Sequence, residues 1–489
     1  MSKPIIVGAN ASAQQVRLFP SMANRHGLIA GATGTGKTIT LQVLAEGFSD
    51  LGVPVFLVDV KGDLSGLAAP GKEHFKVAER IAKIGLQEHS FSDYPVQFWD
   101  LFGEDGTPAR TTIIDMGPVL FSHLLGLNET QAGVLSIAFA VAEDRKLPLL
   151  NLQDLRSMLS WLADNKAEVS KSYGLVSSQS IGAIQRRLLI LGDAGGETFF
   201  GEPALPISEF IRCDSAGRGV INILSGNKLI LNPPVYSTFL FWLLTELFET
   251  LPETGDLEKP KLVFFFDEAH LLFDAAPKAL VDRIEQVVRL IRSKGVGIYF
   301  VTQNPGDIPE DVLSQLGNRI QHALRAFTPR DQKAVRVAAE TFRPNPEVDV
   351  KRAIADMGVG EALVSVLDEE GIPTPVEQTL ICPPQSQIGP VAAALKADLI
   401  AGSAMQGKYK VALDNESAHE LLLERQKKKQ NDDALSTVSV RKSKPKRRGR
   451  SRQGYAETLG KSVLRSLGNR IARQLVKMII SMFSGKGRS

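Results

Sequence analysis

The stretch Gly31-Ala-Thr-Gly-Thr-Gly36-Lys37-Thr38, which directly follows the apolar residues 28–30, decides the fold. It fits the pattern G-x-x-x-x-G-K-[ST], the Walker A phosphate loop. A short strand is predicted before the loop, and apolar residues at helical spacing follow it as far as Gly52. Glycines let successive N–H groups surround phosphate oxygens, and the positive end of the new helix faces the same anion. We therefore predict an α/β fold of the P-loop NTPase class.

The residue types in this loop assign its chemistry. Lys37 is expected to reach the β- and γ-phosphates, and the Thr38 hydroxyl is expected to hold Mg²⁺. A GTPase is disfavoured because the chain lacks the guanine-reading pattern Asn-Lys-x-Asp, so ATP is the expected nucleotide. The predicted nucleotide-binding residues are Gly31, Ala32, Thr33, Gly34, Thr35, Gly36, Lys37 and Thr38.

A second motif, Leu262-Val-Phe-Phe-Phe-Asp267-Glu268, reads as a Walker B strand. Its apolar run predicts a buried strand that delivers Asp267 to the edge of the sheet, where the carboxylate can organise Mg²⁺. Glu268 follows directly and is suited to polarise the attacking water, because phosphoryl transfer depends mainly on positioning and charge neutralisation. This pairing of acids favours an ATP hydrolase over a small-molecule kinase.

A third strand is predicted at 297–302 and ends at Gln303. At the same sheet edge, Gln303 could sense the γ-phosphate or align water; simple strand-end polarity is the alternative. The letters Asp267-Glu-Ala-His270 also spell the box of DEAH helicases. Their box comes sooner after the lysine than the 230 residues found here. The helicase motifs Ser-Ala-Thr and Gln-x-x-Gly-Arg-x-Gly-Arg are also missing, so we treat the match as a coincidence.

Strands and helices alternate along much of the chain, which predicts a RecA-like, mainly parallel sheet sandwiched by helices. Many of the strand-like runs are continuously apolar, as in a sheet that is buried on both faces. They lie at 28–30, 54–60, 96–99, 111–115, 219–224, 261–266, 297–302, 319–324 and 361–366.

Changes in composition divide the chain into six segments. The predicted ATPase core has two parts, separated by a mostly helical insertion or lid, and is followed by a helical segment and a basic tail. The boundaries are 1–66 for the first part of the core, 67–215 for the insertion, 216–385 for the second part, 386–426 for the helical segment, 427–454 for a disordered basic linker and 455–489 for a basic amphipathic helix.

The net charge of +3 hides a strong asymmetry. Residues 427–489 hold 18 of the 57 Lys and Arg but 3 of the 54 Asp and Glu, a balance of +15 against −12 for the rest. Such a tail suggests contact with nucleic acid or an anionic membrane surface. Docking of the 455–489 helix on a protein partner is the alternative. Two cysteines without metal-ligand spacing predict a reduced, cytoplasmic protein.

Taken together, these motifs resemble those of the HerA/FtsK superfamily of ring-forming ATPases. The wider sequence is similar to a bacterial branch of HerA-like helicase-domain proteins over most of residues 1–425. The likeness is carried by residues 31–38, 59–63, 267–270 and 319–331.

The resemblance implies a homo-oligomeric, hexameric ring that moves or unwinds DNA. It also implies an arginine finger that reaches the γ-phosphate of the neighbouring subunit. The positional candidates are Arg319, Arg325 and Arg330, at or after a predicted strand. The leading hypothesis is therefore a Mg²⁺-dependent ring ATPase coupled to DNA translocation or unwinding. The alternative is a ring ATPase that acts on a protein partner or at a membrane surface.

Overall fold

The computed structural model describes residues 3–229, 233–273, 278–325 and 329–439. The chain divides into a main unit, Met1–Phe248 with Pro252–Leu422, and a second unit, Glu249–Leu251 with Leu423–Ser489; every contact discussed below lies in the main unit. The strands are β1 (Ile5–Ala9), β2 (Gln15–Leu18), β3 (Gly27–Ala30), β4 (Val55–Asp59), β5 (Val96–Asp100), β6 (Thr107–Pro108), β7 (Ile221–Ser225), β8 (Leu262–Phe266), β9 (Val296–Thr302), β10 (Asn318–His322), β11 (Glu361–Ser365) and β12 (Glu377–Ile381).

The helices of the described residues follow in chain order. They are α1 (Lys37–Asp50), α2 (Phe75–Ile84), α3 (Ile113–Leu124), α4 (Glu129–Asp144), α5 (Leu152–Asp164), α6 (Lys166–Tyr173), α7 (Ser178–Leu191), α8 (Glu197–Phe199), α9 (Pro233–Thr250), α10 (His270–Phe273), α11 (Lys278–Ile291), α12 (Glu310–Leu313), α13 (Pro329–Glu340), α14 (Val350–Asp356), α15 (Ala393–Gly402), α16 (Ala404–Tyr409) and α17 (Ala418–Ser439). Within the described ranges, no helix combines the length and the apolar composition that a membrane span requires.

All twelve strands join one mixed sheet in the order β2-β1-β12-β11-β10-β3-β9-β8-β4-β7-β5-β6. The eight strands from β10 to β6 are mutually parallel, and the four at the other edge pair antiparallel. The prediction of a mainly parallel α/β sheet is confirmed. Of the four antiparallel strands, β11 was predicted at 361–366, whereas β1, β2 and β12 were not.

The central strands are buried on both faces because helices cover both sides of a parallel sheet. Every residue of β4, β8 and β9 is buried. On one face α1 packs through Phe48, whose ring centroid lies 6.3 Å from that of Phe265 and 6.0 Å from that of Tyr299. On the other face Phe266 stacks on Phe300 at 5.6 Å. This packing fixes α1, and with it the phosphate loop, against the strands that carry the acidic motif.

The strand predicted at 111–115 is wrong, because residues 113 onward begin helix α3. Thr112 accepts a hydrogen bond from the N–H of Asp115 and its hydroxyl donates to the Asp115 carboxylate at 2.7 Å. An N-terminal cap of this kind stabilises a helix start and here overrides the β-propensity of the Thr-Thr-Ile-Ile run.

The structure also redraws two of the predicted segments. Strands β5 and β6 lie within 67–215 but belong to the main sheet, so the helical stretch is the part between β6 and β7 that carries α3–α8. Residues 427–439, predicted to be disordered, continue helix α17. The rest of the predicted linker and the amphipathic helix at 455–489 lie outside the described residues.

Candidate active site

The candidate site lies where neighbouring parallel strands end at one edge of the sheet. Ala30 of β3 pairs with Thr302 of β9, and Phe300 of β9 pairs with Phe266 of β8. The phosphate loop, Gln303 and the acidic pair therefore emerge side by side. Strand β9 separates β3 from β8, which puts Gln303 between the loop and the two acids.

The loop between β3 and α1 adopts backbone conformations that require glycine. Gly31 has φ 154° and Gly36 has φ 115°. A Cβ atom on Gly31 would lie 2.5 Å from the Cβ of His322, so a larger residue would displace the loop. Gly36 is the N-cap of α1, and the N–H groups of a first helical turn have no intrahelical partner. These N–H groups and the helix dipole suit a phosphate.

The Lys37 side chain contacts the backbone of the phosphate loop to which it belongs. Its Nζ donates to the carbonyl oxygens of Gly31 at 2.6 Å and Ala32 at 3.1 Å. Burial lowers the pKa of Lys37, while the carboxylates of Glu268 and Asp267 act in the opposite direction. Thr38 follows in the first turn of α1. Lys37 thus contacts the loop backbone, and the roles of Lys37 and Thr38 toward phosphate and Mg²⁺ stay predictions.

Hydrogen bonds from three separate segments fix the loop backbone. The N–H of Gly31 donates to Thr302 at 3.2 Å, and the N–H of Ala32 donates to Ala323 at 2.8 Å. The carbonyl of Thr35 accepts from the N–H of Gly360 at 2.9 Å. These hydrogen bonds of the fold fix the loop backbone, which reduces the ordering cost of binding a ligand.

Two supporting residues were missed by the sequence analysis. Arg80 of α2 donates to the carbonyls of Gly360 at 2.8 Å and Ile381 at 3.2 Å, and so clamps the segment that bonds to the loop. His322, at the end of β10, is fully buried and lies 2.8 Å from the Thr40 hydroxyl through Nε2. Burial lowers the pKa of His322 to about 4. Both come from distant parts of the chain; His322 lies in the 319–331 stretch of the family resemblance, whereas no motif includes Arg80.

The acidic pair lies at the end of β8 in a constrained turn. The N–H of Glu268 donates to Asp267 Oδ1 at 2.9 Å, and Glu268 has φ 49°, which is uncommon for a residue other than glycine. The Nε2 of Gln303 donates to the two Glu268 oxygens at 3.3 and 3.2 Å. Thr33 of the phosphate loop donates to Gln303 Oε1 at 3.3 Å. Gln303 thus connects the carboxylate to the loop.

The charges around the two acids differ. Burial, together with the neighbouring Glu268 charge, raises the pKa of Asp267 to about 6. Burial alone would also raise the pKa of Glu268, but hydrogen bonding and charge from Lys61 hold it below its usual value. Lys61 Nζ lies 2.7 Å from Glu268 Oε1, and His270 Nδ1 lies 3.5 Å from Oε2. His270, to which the sequence analysis gave no role, is therefore a neighbour of Glu268.

The donor set fits a nucleotide with a hard divalent cation. Gly34 lies exposed at the loop tip with φ 78°, and a Cβ there would meet nothing within 4 Å, so the mouth of the loop has room for an anion. Mg²⁺ prefers carboxylate, hydroxyl and phosphate oxygens, which Asp267, Thr38 and a bound phosphate would supply. No cluster of three or more His, Cys, Asp or Glu suited to a metal occurs in the described residues.

The three candidate arginines lie in different environments. Arg319 is partly buried, and its three guanidinium nitrogens donate to the carbonyls of Leu316, Thr341 and Leu313. Arg325 is exposed, with Nη1 at 3.3 Å from the carbonyl of Ala355. Arg330 lies in the first turns of α13, and its side chain falls outside the described set. The contacts of Arg319 fix it inside its own subunit, whereas Arg325 faces outward.

The fold and the site together define a class, the P-loop NTPases with a RecA-like sheet. Residues 5–488 match the model of the helicase HerA-like C-terminal family, and the chain belongs to that family.

Curated relatives agree with this assignment. The DNA double-strand break repair helicase HerA of Saccharolobus solfataricus is 23% identical over 370 residues, covering 73% of this chain and 64% of that protein. The probable helicase MJ1565 of Methanocaldococcus jannaschii is 24% identical over 348 residues, covering 70% and 60%. The chain thus spans less than two thirds of the length of these relatives.

Solved structures share the fold at low sequence identity. The bacterial conjugative coupling protein TrwB, lacking its N-terminal 70 residues, superposes with a TM-score of 0.52 at 16% identity, covering 78% of this chain and 89% of that one. VirB4 of Thermoanaerobacter pseudethanolicus gives 0.51 at 14% identity, with coverage of 81% and 99%. The RecA-like architecture predicted from the motifs is confirmed.

Proposed function

We propose that this protein is a Mg²⁺-dependent ATPase that assembles as a ring and couples ATP hydrolysis to movement along DNA. The observation that carries the proposal is the connection from the phosphate loop through Gln303 to Glu268. The Glu268 carboxylate and the Gln303 amide would then lie together beside the γ-phosphate of a bound nucleotide. That arrangement suits the positioning of water for in-line attack.

Each residue of the site has a distinct task in this proposal. Lys37 leaves its carbonyl partners and binds the β- and γ-phosphates, as P-loop lysines do. Thr38 and Asp267 hold Mg²⁺, which neutralises phosphate charge. Glu268 accepts a hydrogen bond from the attacking water and favours removal of its proton, while Gln303 orients both. A solved structure of TrwB in complex with ADP and Mg²⁺ has the same fold, at a TM-score of 0.51, which supports this choice of ligands.

DNA is proposed as the substrate because several curated relatives are described as DNA double-strand break repair helicases. The positive balance of residues 427–489 is also suited to a polyanion. Ring assembly is proposed because the main unit contains one phosphate loop and one acidic pair, and an exposed arginine, Arg325, is available to a neighbour. A cytoplasmic location stays a prediction.

The substrate is tested by measuring ATP turnover with and without duplex DNA at increasing KCl. We expect DNA to raise turnover several-fold, and the stimulation to fall steeply with salt because phosphate contacts release counterions. Lys37→Ala is the control and should abolish nucleotide binding. DNA-independent turnover would contradict the DNA proposal. If a truncation after Ser439 then lost only vesicle or protein binding, the alternative of a membrane- or partner-directed ATPase would replace it.

A further inference from the structure

Lys61 reaches the candidate catalytic base from the solvent side. Its Nζ lies 2.7 Å from Glu268 Oε1, with the Lys61 side chain 42% exposed and the Glu268 side chain 5% exposed. The two residues are 207 positions apart and lie after neighbouring strands, β4 and β8. Neither the phosphate-loop motif nor the acidic motif includes Lys61.

Hydrogen bonds fix the backbone that carries Lys61, whereas its long, partly exposed side chain can reach more than one partner. Asp59 at the end of β4 accepts hydrogen bonds from the N–H of Gly62 at 2.7 Å and of Leu64 at 3.0 Å. Gly62 completes the turn with φ 82°. The four-carbon stem of a lysine can move its ammonium group by several ångströms from such a fixed point.

The Glu268 carboxylate is shared among nitrogen groups from three side chains. Lys61 and Gln303 donate to Oε1, and Gln303 also donates to Oε2, which His270 approaches at 3.5 Å. A water molecule needs one of these oxygens as its acceptor. A carboxylate offers about four acceptor positions, and departure of Lys61 would free the one with the shortest contact, on Oε1, for the attacking water.

An anion on the phosphate loop is the group that could draw Lys61 away. Glu268 is joined through Gln303 to Thr33 of the loop by hydrogen bonds of 3.2 to 3.3 Å. A γ-phosphate bound at the loop would lie near the Thr33 end of this series of hydrogen bonds, opposite the Glu268 end. It would offer Lys61 an alternative partner of higher negative charge, and lysine is a common phosphate ligand.

We propose that Lys61 is a positioning residue that exchanges partners, holding Glu268 before nucleotide binds and contacting a γ-phosphate oxygen when a triphosphate is bound. The inference rests on the proposed ATPase function. Because a diphosphate lacks the γ-phosphate, the exchange occurs only with the triphosphate. Glu268 is then released only when the substrate to be hydrolysed is present, which links recognition of the triphosphate to activation of the base.

The test compares the affinities of the full-length protein for Mg²⁺–AMP-PNP and Mg²⁺–ADP by titration calorimetry. We expect Lys61→Met to weaken AMP-PNP binding by about tenfold or more, as for loss of a hydrogen bond to a charged group, and to change ADP binding less than twofold. Lys61→Arg should keep most of the preference. Lys408→Met, which removes another exposed lysine that pairs with a glutamate, Glu209, should alter neither affinity.

A second comparison separates partner exchange from a purely structural ion pair. Glu268→Gln removes the competing charge, so AMP-PNP should bind more tightly relative to ADP. That gain should disappear in the Lys61→Met/Glu268→Gln double variant. Equal losses for both nucleotides in Lys61→Met, or a gain in Glu268→Gln that persists in the double variant, would overturn the exchange. Failure of the wild-type protein to bind either nucleotide would instead overturn the proposed function, and the exchange with it.

Discussion

His26, immediately before β3, is held in its neutral form by two backbone contacts. Its Nδ1 accepts a hydrogen bond from the N–H of Ile298 at 3.0 Å, so the proton resides on Nε2, which donates to Val288 at 2.9 Å. A second proton would face the Ile298 N–H directly. Burial accordingly lowers the pKa of His26 to about 4.

This residue should make the fold sensitive to acid. The unfolded chain takes up a proton near pH 6.5 and the folded chain only near pH 4, so the free energy of unfolding falls as pH drops through that window. His26→Asn keeps a polar acceptor at this position and removes the titrating ring. In urea titrations, wild type should lose about 2 kcal/mol more than His26→Asn between pH 6.5 and 4.5.

The control is Ser12→Ala, an exposed substitution that removes no titrating group. The stability of this variant should follow the wild-type pH dependence. Identical pH dependence of His26→Asn and wild type would show that His26 is not the group responsible.

At the residue scale, the sequence identified side chains that stand in consecutive motifs. The loop residues around Lys37, the Asp267–Glu268 pair and Gln303 were found this way, and the structure brings them to one edge. Lys61 and His322 stand in the stretches 59–63 and 319–331 that carry the family resemblance. The contacts that they and Arg80 make were not predicted, because each contact joins segments more than two hundred residues apart. Such contacts follow from tertiary packing and leave no local pattern.

At the element scale, the start of α5 is joined to the C-terminal segment by one buried carboxylate. Asp154 accepts hydrogen bonds from the N–H groups of Leu150 at 2.8 Å, Asn151 at 3.0 Å and His419 at 2.9 Å, and from the Ser417 hydroxyl. Asn151 and Asp154 also form a capping box at this helix start. Asp154 therefore also connects the start of α5 to the segment that contains Ser417 and His419.

Asp154→Ala should therefore destabilise the protein strongly. It leaves buried N–H groups without an acceptor, which costs about 1 to 3 kcal/mol for each group, so we expect a loss of about 3 kcal/mol or more in urea unfolding. Glu168→Ala is the control, because its side chain is 68% exposed in an ion pair with Arg145; it should change stability by less than about 1 kcal/mol. Equal effects of the two substitutions would refute this role of Asp154.

The same scale shows where pattern reasoning works and where it fails. Continuous apolar runs such as β8 and β9 predict buried parallel strands well, because both faces of the strand are covered. The 111–115 run has similar residues, yet its Thr112 cap starts a helix. Strands β1 and β12 were not predicted, because they pair with each other across most of the length of the chain.

At the scale of the whole molecule, the site is expected to need a residue from a second copy of the chain. Arg325 is the better placed of the two candidates whose side chains are described, because Arg319 is bonded to carbonyls of its own subunit. Mixing Lys37→Ala with Arg325→Ala subunits should restore ATP turnover that neither variant shows alone. In the mixture, the dead subunit still supplies its arginine to an intact loop.

Arg319→Ala is the comparison for the mixing experiment. Loss of three hydrogen bonds should lower its stability, and mixing it with Lys37→Ala should not restore turnover. Absence of rescue with Arg325→Ala would exclude Arg325 as a residue supplied to the neighbouring subunit. Arg330 would then be tested in the same way.

In the proposed mechanism, Asp267 and Glu268 convert a nucleotide-binding loop into a hydrolytic site. This mechanism is tested most directly by measuring ATP binding and ATP turnover of Glu268→Gln beside wild type, with Mg²⁺ present. Wild type should hydrolyse ATP, and Glu268→Gln should bind ATP at least as tightly while its turnover falls by two or more orders of magnitude, the scale of a lost general base. Turnover of Glu268→Gln at the wild-type rate would contradict the account.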